Sequence, residues 1–518
     1  MPVLKLLRWS TAHVPAPVRR AMARLKENGR AEFRIDLVTW TSEGDLLLSG
    51  SHTPQSLVLR HRETGREVTV PGTAEGVRVP CTRVLSFGDE IPLASGHWEL
   101  RDAVWTGRRL PQRRIEGLHV FTPRQRGTRL VLAVTPNHAP DEKGPRAQER
   151  LQSGHYAGRR ALPLLDLVVF DSMSGRAASC NPRAVHDELA MRDLGLEFVW
   201  ISADGQFTPP SGSEVVLAGS RAHYEVMARA RYVVGNVRMP RWFRKREGQV
   251  YLQTWHGTPI KHLGLDIEAM ADRREAAFAH IRSDTPQWDY LVSPNPYATP
   301  ILRRAYGYEG EVLEVGYPRN DVLYRPGKEE RAAAVRAMLG IPEDKKIVLY
   351  APTWRDDLRF SGTPQELALD VYDARRALDG DHVLLVRAHR NARKGAGWPR
   401  PDAFVRDVSA YPDAADLLLI SDVLVTDYSS AMVDFAGTGR PVVVFAPDLE
   451  RYRDQVRGLY LDLEEKAPGP LLRTSGDVVA ALRAGVAQGA DEAFRAEFCP
   501  FDDGGAAARV IEHVFKGM

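Results

Sequence analysis

The sequence predicts an α/β protein in which two doubly wound units, each built on a parallel sheet, follow a β-rich N-terminal region. Alternating apolar and polar residues, as in Phe33–Trp40, are typical of half-buried strands and occur through the first quarter of the chain. Later apolar runs such as Leu164–Phe170 are short and nearly continuous, as expected of strands covered on both faces. These runs alternate with helical stretches, and the alternation starts again after Pro342, which predicts two tandem parallel sheets.

The chain has 518 residues, and a chain of that length is expected to form about three domains. An apolar content of 43% allows a large core. We predict a basic amphipathic segment over residues 1–30, a β-rich accessory domain over residues 31–155, and two α/β domains over residues 156–325 and 326–518. The β-rich region contains no cluster of catalytic residue types, so chemistry is expected in the α/β domains.

Charge and cysteine content narrow the classes of partner. With 70 Lys+Arg against 67 Asp+Glu the net charge is only +3, which argues against bulk nucleic-acid binding. The three cysteines, Cys81, Cys180 and Cys499, are far apart and odd in number, so neither a disulfide framework nor a zinc site is expected. The sequence shows neither a signal-peptide pattern nor an apolar run near the ~18–20 residues that cross a bilayer. A cytoplasmic or peripheral membrane protein is therefore expected.

Residues 1–30 hold the clearest local charge asymmetry. Seven Lys and Arg residues stand against one acid, Glu27, with apolar residues between them. Two interpretations stay open: a frayed basic terminus, or an amphipathic anchor on anionic lipid.

Polar clusters follow five of the predicted parallel strands. Because ligands of such sheets bind beyond the carboxyl ends of the strands, these clusters are expected to share one site. They are His256, Arg319, the run Thr353-Trp354-Arg355, His389, and the group Asp427, Ser429 and Ser430.

Two histidines are the candidates for acid–base chemistry. His256 could act as the general base on an acceptor hydroxyl, although a histidine that only packs locally is the simpler interpretation of that residue alone. His389, between Arg387 and Arg390, could donate to a phosphate or leaving-group oxygen, or lie in a charged surface loop. The arginines Arg319, Arg355 and Arg457 could each bind phosphate or simply form ion pairs.

The run Thr426-Asp427-Tyr428-Ser429-Ser430 ends a strand just before a helix predicted to begin at Ala431. Backbone N–H groups, the helix dipole and two hydroxyls favour a bound diphosphate there, whereas the simpler interpretation is that Ser429 caps the helix. The sequence has no phosphate-binding loop of the G-x-x-x-x-G-K-[ST] type and no close Cys/His spacing, so no cofactor and no metal is expected.

These motifs together resemble the CDP-glycerol glycerophosphotransferase family, which contains the teichoic acid polymerases and primases. The similarity runs from about Leu167 to about Pro470. The motifs are Ser179–Pro182, Arg241–Phe243, Gln253–Pro259 (with Trp255, Gly257 and Thr258 supporting His256), Gly316–Asp321, Tyr350–Arg355, Thr426–Ser430, Asp448–Glu450 and Arg457-Gly458.

The resemblance implies a GT-B-like pair of Rossmann-type domains, with the acceptor side in residues 156–325 and the CDP-donor side in residues 326–518. It makes His256 the base and His389 the second essential histidine. It also implies a CDP-alcohol donor, a polymer or lipid-linked acceptor, and peripheral attachment to the cytoplasmic membrane face. Ser429 and Ser430 would hold donor phosphate, with Arg319, Arg457, Thr426 and Asp427 as further donor-binding candidates and Arg355 in support.

One departure is at the second histidine, where the family usually has Lys-x-His-Pro and this chain has Arg387-Ala388-His389-Arg390. We predict transfer of a phospho-alcohol, with glycerol phosphate favoured, from a CDP-alcohol to an acceptor hydroxyl, with release of CMP. Two alternatives remain: a GT-B sugar transferase that uses a nucleotide sugar, and a non-catalytic module that binds a wall polymer.

Overall fold

The computed structural model describes residues 32–268, 271–355, 357, 366–389, 398–486 and 489–516. The predicted basic segment over residues 1–30 lies outside them. The described chain divides into two units: one contains residues 32–81, 96–116 and 120–134, and the other contains residues 82–95, 117–119 and the chain from 135 onward. No helix in the described ranges is long and apolar enough to cross a membrane.

The N-terminal strands form a ten-stranded sheet. Phe33–Trp40 runs antiparallel to Leu46–Ser51 and parallel to Ala103–Trp105. Its predicted alternation slips at a bulge between Ile35 and Leu37, which leaves the Leu37 side chain 52% exposed. In spatial order the strands are Arg114–Glu116, His119–Arg126, Arg129–Pro136, Gly96–Leu100, Ser56–His61, Glu67–Thr73, Gly76–Val79, Leu46–Ser51, Phe33–Trp40 and Ala103–Trp105.

The second unit contains a parallel sheet of seven strands and a hairpin, Val84–Ser86 with Asp89–Ile91. The interior strand Leu165–Asp171 is buried over its last five residues, as its nearly continuous apolar run predicts. Phe170 on that strand stacks on Trp200 of its neighbour at 4.9 Å. In spatial order the strands are Ser213–Leu217, Glu197–Ser202, Leu165–Asp171, Ala230–Gly235, Val250–Gln253, Tyr290–Ser293 and Glu311–Glu314.

The same unit contains a second parallel sheet of six strands, so the predicted pair of parallel sheets is present. The overall class, mixed α/β with parallel sheets, is confirmed. In spatial order the strands are Val405–Asp407, His382–Val386, Lys346–Ala351, Val423–Thr426, Val442–Phe445 and Leu471–Leu472.

Helices connect the parallel strands. Ser220 is the N-cap of Arg221–Arg229: its hydroxyl accepts a hydrogen bond from the His223 N–H at the start of that helix. The α-helices are Pro145–Arg150, Ala157–Arg159, Cys180–Ala190, Arg221–Arg229, Ala271–Asp284, Ala298–Tyr306, Lys328–Met338, Val371–Leu378, Ala414–Ile420, Ala431–Ala436, Leu449–Arg451, Leu463–Lys466, Ser475–Ala484, Glu492–Phe498 and Ala506–Val514. Short 3-10 helices are Pro140–Glu142, Gly264–Asp266, Thr285–Gln287 and Pro318–Leu323, and π-helical turns are Leu151–Tyr156 and Tyr452–Val456.

The last helix, Ala506–Val514, packs into the core of the seven-stranded sheet, although it follows the six-stranded sheet in the chain. The Asp321 carboxylate accepts hydrogen bonds from the Ala506 and Ala507 N–H groups at 3.0 and 2.9 Å. These bonds satisfy two of the donors that the first turn of a helix leaves open. The chain end therefore joins the two α/β halves of this unit.

Candidate functional site

Each of the five predicted polar clusters follows a parallel strand at its carboxyl end. His256 comes after Val250–Gln253, and Arg319 lies in the short helix after Glu311–Glu314. The other three follow strands of the six-stranded sheet: Thr353–Arg355 after Lys346–Ala351, His389 after His382–Val386, and Ser429 and Ser430 after Val423–Thr426.

The imidazole of His256 is held in one tautomer. Its Nδ1 lies 2.6 Å from the backbone oxygen of Asn236. Because a carbonyl oxygen only accepts hydrogen bonds, Nδ1 must donate, and in the neutral ring the proton is therefore on Nδ1. Nε2 then keeps its lone pair, which is the form that a general base requires.

The residue before His256 is held in an unfavourable backbone conformation. Trp255 has φ of +53°, which is rare for a bulky side chain. Its N–H donates to the Gln253 side chain at 3.0 Å, and the Asn181 amide donates to the Thr254 and Trp255 carbonyls, each at 3.0 Å. Asn181 is fully buried, so these bonds hold the strained turn that presents His256.

Arg319 is engaged by protein groups around the same turn. Its guanidinium donates to the His256 carbonyl at 2.5 Å and pairs with the buried Asp434 carboxylate at 2.5 Å. Burial works against the charge, but Asp434 outweighs it and raises the pKa of Arg319 above its ordinary value. The predicted role of Arg319 as a donor-phosphate ligand stays a prediction, and its visible contacts support the turn.

The His256 turn contacts the serine pair of the six-stranded half directly. A Cβ placed on Gly257 would lie 2.3 Å from the Ser430 Oγ, so any larger residue would force Ser430 or the turn to shift. Ser430 stands at the N-cap position of Ala431–Ala436 without a side-chain capping bond, while the Ser429 hydroxyl accepts from the Ala431 N–H at 3.3 Å. Both sequence interpretations of this run thus retain support, since Ser429 reaches the helix terminus and Ser430 meets the His256 turn.

The N–H groups of the first helical turn differ from the expectation. The N–H groups of Met432 and Val433 donate to the Ser429 and Ser430 carbonyls at 3.2 and 3.0 Å. They are therefore not open donors for an anion, whereas the serine hydroxyls stay candidates.

Thr426, Asp427 and Arg355 form the support beneath this loop. The Thr426 hydroxyl donates to the Ala351 carbonyl at 2.7 Å. The Asp427 carboxylate accepts from the Thr353 and Tyr428 N–H groups and from Arg355. Thr426 and Asp427 are 0% and 2% exposed, so their hydrogen bonds stabilise the loop from its buried side.

Arg355 also connects Asp427 to the loop that contains Asp448. It makes a two-pronged pair with Asp448 at 2.8 and 2.9 Å and lies over the Tyr428 ring at 5.0 Å. Burial opposes ionisation of Asp448, but the Arg355 contacts outweigh it and hold the pKa of that carboxyl below its ordinary value. Such a pair is rigid and directional.

A cavity of about 450 Å³ lies at the carboxyl end of the six-stranded sheet. Its wall includes His389, Ser429 and Arg457, three of the predicted site residues, and also Lys261 from the segment that follows His256. Arg387 adds a third cation, and no Asp or Glu is among the described residues that line this cavity. His256, Arg319 and Ser430 are not among these lining residues, and Gly257 meets Ser430 beside Ser429. This charge distribution suits a polyanion.

The segment after His256 pairs with the segment around Arg457. The His262 N–H donates to the Gly458 carbonyl at 3.1 Å, and the Tyr460 N–H donates to the Ile260 carbonyl at 2.8 Å. The Arg457 guanidinium donates to the His262 carbonyl at 2.9 Å. These bonds bring Arg457 to the cavity from a point 201 residues after His256 in the chain.

Of the remaining supporting residues, Thr258 is 3% exposed, and the Trp255 ring lies 4.4 Å from the His256 ring. Within the described residues, no group of three or more His, Cys, Asp or Glu side chains is arranged to hold a metal ion.

Comparison with known proteins identifies the family of this chain. Residues 159–516 match the family model described as CDP-glycerol:poly(glycerophosphate) glycerophosphotransferase. The chain belongs to this family. The predicted resemblance and the predicted enzyme class, a glycerophosphotransferase of teichoic acid synthesis, are thereby confirmed.

Among curated members of the glycerophosphotransferase family, the teichoic acid glycerol-phosphate transferase of Staphylococcus aureus is 37% identical over 370 residues, which cover 68% of this chain and 94% of that protein. The teichoic acid poly(glycerol phosphate) polymerase of Bacillus subtilis is 36% identical over 365 residues, or 67% of this chain. The matched part spans only 48% of that polymerase. The solved structure of the wall teichoic acid polymerase TagF superposes with a TM-score of 0.64 at 33% identity, covering 72% of this chain and 93% of that one.

Several residues of this glycerophosphotransferase site were not singled out from the sequence. Asn236 orients His256, Asn181 clamps the turn, Asp434 holds Arg319 and Lys261 lines the cavity. Asn181 belongs to the motif Ser179–Pro182, which is a usable signal, and Asn236 directly follows the strand Ala230–Gly235.

Proposed function

We propose that this chain transfers glycerol phosphate from CDP-glycerol to a hydroxyl of a teichoic-acid-like polymer or lipid-linked primer and releases CMP. One observation carries the proposal: the cavity at which His389, Ser429 and Arg457 meet has three cationic side chains and no carboxylate among its described lining residues. A diphosphate with its negative charge fits that lining, and the Gly257–Ser430 contact brings the His256 turn to the serine pair beside it.

In the proposed reaction the acceptor hydroxyl attacks the β-phosphorus of the donor while His256 Nε2 takes its proton. The new bond is oxygen to β-phosphorus, and the bond that breaks joins the β-phosphorus to the oxygen that leaves with CMP. Arg457, Lys261 and the hydroxyls of Ser429 and Ser430 stabilise the charge on the phosphates, which is the main source of catalysis in phosphoryl transfer. His389 donates a hydrogen bond to the leaving phosphate.

The finer architecture and the place of action belong to the same proposal. The two parallel sheets are assigned as a GT-B-like pair of Rossmann-type domains, with residues 156–325 on the acceptor side and residues 326–518 on the donor side. The N-terminal sheet is an accessory domain. We assign the protein to the cytoplasmic face of the membrane as a peripheral protein that meets its lipid-linked acceptor there and binds no nucleic acid.

The test follows nucleotide release from CDP-glycerol, CDP-ribitol and UDP-sugars with a lipid-linked acceptor. CMP release from CDP-glycerol is expected, and it should fall at least about a hundredfold in His256→Ala, because general-base catalysis contributes about 10²–10⁴-fold. His280→Ala is the matched control, since His280 Nε2 also lies 2.8 Å from a carbonyl of the same loop, that of Met239.

CMP release that survives in His256→Ala would remove the assigned role of that residue. UDP release alone would replace the proposal by a sugar transferase, and no release from any donor would replace it by a binding module.

A further inference from the structure

Trp354 is a buried side chain of the cavity with an unused donor. It is 7% exposed and belongs to the wall that also contains His389 and Ser429. Its indole Nε1–H is buried without a hydrogen-bond partner in the described part of the chain. Buried donors are nearly always paired, because an unmet one costs about 1–3 kcal/mol, so this exception needs a reason.

The Trp354 ring also contacts the second histidine. The indole and the His389 imidazole stack with their centroids 6.2 Å apart and their planes 29° from parallel. This separation falls within the usual range of stacked ring pairs. Because the Trp354 ring is buried and the His389 side chain is exposed, the indole is the fixed partner and the imidazole takes its orientation from it.

The backbone on both sides of Trp354 is anchored. The Thr353 N–H donates to Asp427 at 2.8 Å, and Arg355 is bound to both Asp427 and Asp448. A donor on such a support loses little entropy when a ligand arrives. The indole is therefore preorganised, and its unmet N–H matches an acceptor atom on the ligand.

The lining of the cavity identifies the class of that acceptor. Lys261, Arg387 and Arg457 make the wall cationic, and the described lining contains no carboxylate. We propose that Trp354 is a donor-binding residue whose Nε1–H donates to a phosphate oxygen of a nucleoside diphosphate, while its ring positions His389. This inference rests on the proposed function and adds to it a residue for the donor diphosphate.

The experiment compares two substitutions in the full chain. Trp354→Phe keeps an aromatic ring for His389 and removes the N–H together with part of the indole volume, so CDP binding by calorimetry should weaken about 10-fold or more, the value of a hydrogen bond to a charged group. Its kcat for CMP release should change less than about threefold. Trp354→Leu removes the ring as well, so kcat should also fall and the pH profile of kcat should shift.

Two comparisons make the assignment specific. Binding of cytidine, which lacks phosphate, should be equal in wild type and Trp354→Phe; an equal loss for cytidine and CDP would overturn the phosphate contact. Trp40→Phe is the matched control, because its Nε1–H already donates to the Gln112 carbonyl at 2.8 Å outside the cavity. Unchanged CDP affinity in Trp354→Phe refutes the proposal.

A measurement on the wild-type protein tests the inference even if the variants fail to fold. In a ¹⁵N-labelled wild-type sample, the indole resonance assigned to Trp354 by its proximity to the His389 ring should shift on addition of CDP and exchange more slowly with solvent. An indole signal that does not respond to saturating CDP overturns the inference even if CDP-glycerol is turned over. A responding signal in a protein that releases no CMP supports the binding role and refutes the proposed reaction instead.

Discussion

The contact between Gly257 and Ser430 predicts a specific defect in Gly257→Ala. The added methyl would lie 2.3 Å from the Ser430 Oγ and 3.0 Å from its Cβ, and 3.7 Å from the Arg319 guanidinium. The φ of Gly257 is not in the left-handed region, so alanine suits the backbone and the penalty is steric alone. Either the His256 turn or Ser430 must therefore move.

The size of the effect follows from that overlap. Forcing an extra methyl into a packed contact costs about 1–3 kcal/mol. If the cost is borne by the geometry of the site, kcat/KM for CMP release should fall about 5- to 150-fold, at 1.36 kcal/mol for each tenfold change. The thermal midpoint should change little, because the contact involves one small side chain at the edge of the core.

The assay is a double-mutant cycle with Ser430→Ala, which removes the atom at 2.3 Å. Activity of the double variant should be close to that of Ser430→Ala alone, because the alanine at Gly257 then meets only the remaining Cβ. Gly380→Ala is the control, since a Cβ there meets nothing within 4 Å. If the losses of the two single variants multiply in the double variant, the two positions are independent and the assigned contact is wrong.

Three further predictions concern the groups behind the site. Asp434→Asn leaves the Arg319 charge buried and unpaired, so the free energy of unfolding in urea should drop by about 3–5 kcal/mol, against about 1 kcal/mol or less for Asp373→Asn in an exposed pair. Asn181→Ala should lower kcat and cost about 2–4 kcal/mol in the same urea assay, because it removes the side chain that pairs with the Thr254 carbonyl and with the Arg319 N–H. Burial, and then the Asp434 charge, raise the pKa of Asp502 to about 7, so the native carboxyl keeps a proton that the unfolded chain loses near pH 4. Wild type should therefore lose stability as pH rises from 4 to 7, and the advantage of Asp502→Asn in thermal melts should grow by up to about 2.6 kcal/mol between pH 5 and pH 8. An advantage that does not change with pH contradicts the shift.

The sequence predicted well wherever a local pattern had a direct structural meaning. Continuous apolar runs such as Leu164–Phe170 became buried parallel strands, and each candidate cluster follows its predicted strand. The reason is physical: carboxyl ends of parallel strands share one edge, so residues distant in the chain come together without any specific long-range information. Leu37 shows the limit, because a single bulge reverses the face of an apolar side chain.

Contacts that depend on the exact position of two loops were not predictable from local pattern. Arg319 and Asp434 are 115 residues apart, and nothing around either residue indicates that the guanidinium pairs with that carboxylate. The sequence presented Arg319 as a phosphate ligand, and the structure shows its donors occupied at the His256 carbonyl and Asp434. An arginine at a strand end has the same local signature in either role.

His256, the proposed base, lies on a turn that contacts both the six-stranded half and its own sheet. Its imidazole is oriented from Asn236 in the seven-stranded half, but the turn itself touches Ser430, and the segment that follows pairs with Gly458 and Tyr460. Any change in the relative position of the two halves must therefore either move the turn against its own strand or break these bonds. If the cavity holds the donor and His256 is the base, as proposed, a residue that sets the contact between the halves controls the geometry of attack without touching either substrate.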